Sequence, residues 1–116
     1  MTEADLSRFM NAQAQVYSRV VEELTQGSKR THWMWFIFPQ VAGLGTSTMA
    51  QRYAIRDLDQ ARRYLANPLL GSRLRQVVRL IMDHKGKSAL EILGFTDDLK
   101  FRSCLTLVSA SSLQGV

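Results

Sequence analysis

The chain has 116 residues, 46% of them AVILMFWYC and 22% charged, with two Pro and seven Gly, which excludes collagen-like and low-complexity classes and fits one globular domain over 1–116. Fifteen Lys+Arg against ten Asp+Glu leave a net charge of +5, but the basic residues are scattered along helical stretches, which argues against nucleic acid as a partner. The longest apolar run, Trp33 to Phe38, falls far short of the roughly 18 residues of a membrane span, so no membrane partner is expected. The lone Cys104 cannot close an internal disulfide, and the start MTEADLSRF lacks the character of a secretory signal. Both fit a reducing cytoplasm.

Leu6, Phe9, Met10, Val16, Tyr17, Val20 and Leu24 form an apolar stripe that predicts one amphipathic helix over 5–26, closed by Gly27. Glu22 and Glu23 fall at its solvated end. The segment from His32 to Gln40 follows; periodicity alone does not separate a short buried strand from a buried helical turn there, and it reads as an extended segment because Pro39 disfavours helical geometry at its end, Phe38. Gly43-Leu44-Gly45 reads as a loop, with Thr46-Ser47 capping a short helix through Tyr53. Asp57 or Asp59 starts another short helix. Asn67-Pro68 reads as N-cap and first helical residue of a helix from 68 to about 84, with His84 and Lys85 in its last turn. Ser88 and Glu91 make a capping box, and Thr96-Asp97-Asp98 opens a last helix over 97–111 that is apolar on more than one face. The predicted fold class is all-α, a bundle of five or six unequal helices.

Chemistry concentrates in one place. Both Trp residues and two of the five Phe lie between His32 and Gln40. They serve either as a core ridge or as one wall of a pocket, with Trp33 or Trp35 stacked on a flat ligand and His32 and Gln40 supplying hydrogen bonds. Ser47 and Tyr53 follow closely. The glycine loop before Ser47 lacks the Lys-Ser/Thr pairing of a phosphate loop. His32 and His84 are far apart and Cys104 has no CxxC partner, so neither a metal site nor a cofactor is indicated. Cys104 reads as a small core hydrophobe.

The string Lys29-Arg30-Thr31-His32-Trp33-Met34-Trp35-Phe36-Ile37-Phe38-Pro39-Gln40, then Gly43-Leu44-Gly45, Ser47 and Tyr53-Ala54-Ile55, resembles the family known as domain of unknown function 1810. Leu70-Gly71-Ser72-Arg73-Leu74, Asp97-Asp98-Leu99-Lys100 and Arg102-Ser103 extend the resemblance over essentially the whole chain. It implies a small, mostly bacterial helical bundle without an established activity, and polar motif positions at His32, Gln40, Ser47, Tyr53, Asp98, Lys100 and Ser103. The label calpastatin carried by some members implies a disordered protease inhibitor, which this composition does not suggest. Asn67 stands where the family has a histidine, and Cys104 and Val108 replace a Ser and a Phe. Members continue into a further C-terminal helix where this sequence ends in SASSLQGV, so the chain reads as truncated relative to them.

Three functions fit these residues. The first is a small-ligand pocket for a nucleotide-like or ribosylated molecule, walled by Trp33, Trp35, Gln40, Ser47, Tyr53, Lys100 and Ser103, with His32 as the catalytic base or acid if the protein is an enzyme. The second is an interaction module using the apolar face of helix 97–111, including self-association through it. The third is a nucleic-acid binder using the net charge.

Overall fold

The computed structural model describes residues 2–114, and side-chain surroundings for 6–111. Gly115 and Val116, at the end of the SASSLQGV string, lie outside the described residues, as does Met1. The order is α1 (Thr2–Ala14), α2 (Tyr17–Gln26), α3 (Met34–Ile37), β1 (Gln40–Val41), α4 (Thr48–Arg52), β2 (Ala54–Ile55), α5 (Leu58–Ala66), α6 (Pro68–Met82), α7 (Ala89–Leu93) and α8 (Asp97–Gln114). The protein is therefore mostly helical. No helix among the described residues is long and apolar enough to cross a membrane.

Short-range chemistry sets most boundaries. Ser47 accepts from the Ala50 amide and Asp57 from the Gln60 amide, capping α4 and α5. Asn67 ends α5 and starts α6, its Oδ1 accepting from Leu69 N and Leu70 N at 3.0 Å each, while Pro68 fills the first turn without a wasted donor. Ser88 and Glu91 complete the capping box of α7. Gly27 closes α2 at φ +76°, a left-handed cap that glycine adopts without Cβ strain.

The fold departs from the sequence pattern in several places. The helix expected over 5–26 breaks at Gln15-Val16 into α1 and α2. The break lets α1 pack on α3 while α2 lies on α6, with the Tyr17 hydroxyl reaching Arg73 O and Gln76. The aromatic segment is not extended throughout: Met34–Ile37 make one helical turn, and extended backbone resumes at Phe38 (φ −116°, ψ 93°), where Pro39 requires it. A two-stranded parallel pairing joins Gln40 to Ala54 and Val41 to Ile55, held by contacts too distant in sequence for periodicity to register. The break and the added turn α3 raise the helix count to eight among the described residues, while the short helices α4 and α7 stand where the sequence places them.

The core gathers Phe9, Leu24, Trp33, Phe38, Tyr64, Leu70, Val77, Phe101 and Cys104, all nearly sealed from solvent. Phe9 meets Tyr64, and Phe38 meets Phe101, edge to face at ring separations of 5.2 and 5.3 Å. Burial pushes the Cys104 thiol up to about 12, consistent with its reading as a core hydrophobe.

Candidate functional site

Glu23 organises the segment that leads into the aromatic run. It is buried, correcting its expected place at a solvated helix end. Its carboxylate accepts from Arg30 N, Thr31 N, Thr31 Oγ1 and Trp33 Nε1, at 2.8, 3.1, 2.8 and 3.0 Å. Burial pushes this carboxyl up, but the hydrogen bonds from the Arg30 amide, the Thr31 hydroxyl, the Trp33 indole and the Thr31 amide outweigh it, holding the pKa at about 2. Trp33 is thereby fixed as a fully buried side chain, not an open face for stacking.

Trp35, Gln40 and Lys100 do come together. Lys100 Nζ sits 4.9 Å from the centre of the half-buried Trp35 ring, and Gln40 Nε2 donates to Lys100 O at 2.7 Å and Phe38 O at 3.0 Å. Asp97 ties this edge to the Trp33 side, meeting Lys100 Nζ at 3.3 Å and Lys29 Nζ at 2.9 Å, with Lys29 lying 4.9 Å from the Trp33 ring centre. Ser103, half-buried, is one turn along α8 from Lys100. The other candidates are elsewhere or otherwise engaged. His32 is exposed, Ser47 is exposed and used as the α4 cap, and Tyr53 packs against Phe36 and Phe9 at 5.2 and 5.8 Å. Among the described residues no three His, Cys, Asp or Glu side chains converge to hold a metal ion.

A second feature lies outside the aromatic segment. An open groove of about 430 Å³ is lined by Leu65 of α5, Leu74, Arg75, Val78 and Arg79 of α6, and Leu105 and Val108 of α8. Helix α5 packs against both α6 and α8 and forms the floor. The walls come from helical spacing, with Leu74 and Val78 four apart and Leu105 and Val108 three apart. Gly71 lets α6 start hard against α5: a Cβ there would lie 2.2 Å from Leu65 O. The half-buried Leu105 and Val108 belong to the apolar face expected on helix 97–111. Sequence reasoning misses the α6 side of the groove, whose signal is a helix that carries three arginines and no acid.

No curated protein matches the chain. It is similar to a solved structure, the conserved hypothetical protein Rv1873 from Mycobacterium tuberculosis, with 51% identity, a TM-score of 0.91, and coverage of 92% of this chain and 76% of that one. The family described as protein of unknown function (DUF1810) matches residues 3–115, and the chain belongs to it.

Proposed function

We propose that this chain is a protein-interaction module whose docking surface is the groove between α6 and α8. One observation carries the reading: the half-buried Leu65, Val78, Leu105 and Val108, together with the buried Leu74, line an open apolar groove. Isolated exposed hydrophobes need no explanation, but a continuous apolar groove walled by helices suits a further helix laid along it. The walls present side chains at three- and four-residue spacing, the ridges into which a third helix packs.

The test uses a fluorescein-labelled helical peptide with a leucine face, followed by anisotropy. Leu105→Glu and Val108→Glu, at half-buried positions, are expected to weaken binding at least about tenfold while circular dichroism and the melting temperature hold. Unchanged binding in both folded variants defeats the reading.

A narrower small-ligand reading is favoured by the half-exposed Trp35 edge, where Lys100 lies over the ring and Gln40 is alongside. A flat anionic ligand, nucleotide-like or ribosylated, suits an aromatic edge with a lysine beside it. Its test is a thermal-shift series with ADP-ribose and simple nucleotides. A stabilisation that disappears in Trp35→Ala supports it, and no shift from any of them ends it.

A further inference from the structure

We infer that the helix this groove takes is acidic along one flank, its carboxylates meeting Arg75 and Arg79. Those two arginines line the apolar groove and also a neighbouring polar hollow of about 420 Å³ formed with Ser72, Arg73 and Gln76. They therefore stand on the ridge between an apolar surface and a polar one. They are exposed, and neither takes part in an ion pair among the described residues.

Arg73 differs. It is turned inward, its guanidinium 4.7 Å from the Tyr17 ring centre and 3.3 Å from Gln13 Oε1. Helix α6 has no Asp or Glu between Pro68 and Met82 to answer its three arginines, and the chain as a whole is cationic by five charges. A helix seated on Val78, Leu105 and Val108 runs beside Arg75 and Arg79, which are spaced four apart and so share one side of α6. Carboxylates at matching spacing on the incoming helix would pair with both. A basic flank would face repulsion instead, so the ridge also selects against partners.

This preference rests on the groove being the docking surface proposed above. The experiment compares three labelled peptides with an identical leucine face and a flank of Glu, Gln or Lys. The Glu peptide is expected to bind about five- to tenfold more tightly than the Gln peptide, with the Lys peptide weakest, and the spread should shrink at about 0.5 M salt. In the double variant Arg75→Glu/Arg79→Glu the order should invert in favour of the Lys peptide. Both positions are exposed, so folding is not at stake.

Equal binding of all three peptides, abolished by Leu105→Glu, would overturn the acidic preference and leave the groove reading standing. Glu-peptide binding that survives Leu105→Glu would overturn both, because charge alone would then carry it. Absence of binding by any peptide also overturns both. A dimer in solution that Leu105→Glu dissociates would overturn the acidic partner in favour of a second copy of this chain.

Discussion

The Trp33 indole donates to Glu23 Oε1 at 3.0 Å, joining a fully buried aromatic ring to a buried carboxylate. The remaining donors to Glu23 are the Arg30 amide and the amide and hydroxyl of Thr31. His32 lies between these donors in sequence and is exposed. One carboxylate therefore fixes the chain on both sides of His32 while leaving that side chain in solvent.

This arrangement predicts a pH dependence. The Glu23 carboxyl is held at about 2 in the fold against an ordinary value of 4.5. A depressed folded value means that its stabilisation is complete above about pH 4.5 and is lost as pH falls toward 2. The shift corresponds to a contribution on the order of 3 kcal/mol. Thermal melts from pH 6 down to about pH 2 are expected to show this loss, and Glu23→Gln should start lower at neutral pH and fall less steeply. Parallel curves for the two proteins would contradict the assignment.

Tyr64 gives the opposite dependence. Its hydroxyl accepts from Gln13 Nε2 at 3.1 Å, while the same amide donates to Phe36 O at 2.7 Å. Burial pushes the Tyr64 hydroxyl far up, and burial also raises Tyr17 despite the nearby Arg73. A raised folded value gives stability that is present below about pH 10 and lost as pH rises beyond it. Alkaline titration followed by tyrosinate absorbance should show Tyr64 ionising only as the protein unfolds. Tyr64→Phe should cost about 1 to 2 kcal/mol and remove that step.

Gly71 sets the approach of α5 and α6. Gly71→Ala gains helix propensity, yet its Cβ would press on Leu65 O at 2.2 Å, and backbone cannot yield cheaply. Net destabilisation of about 1 to 3 kcal/mol is expected in denaturant unfolding. A gain in stability would show that the two helices part without penalty.

Local chemistry makes the caps legible. Asn67-Pro68, Ser88 with Glu91, Asp57 and Gly27 act within a few residues, and each holds the position its neighbours imply. The break before Tyr17 is not legible, because it depends on Gln13 reaching Phe36 and Tyr64 and on Tyr17 reaching α6. His84 is similar. Its position suggests the last turn of α6, but that helix ends at Met82 and the His84 ring meets Leu24 O at 2.6 Å, near the end of α2. Of the candidate site, the grouping of Trp35, Gln40 and Lys100 follows the motif, while the burial of Trp33 depends on Glu23, ten residues earlier in sequence.

The pairing of β1 with β2 has a consequence for engineering. It closes the segment between them, and Arg8 reinforces the closure by donating to Arg52 O and Ala54 O at 2.9 Å each. Within the closed segment, residues 42–48 are exposed and α4 has no buried residue. Amide protons there should exchange with solvent long before those of α6 or α8. The same stretch is where a reporter peptide or a cleavage site can be inserted with the least disturbance to the rest of the fold.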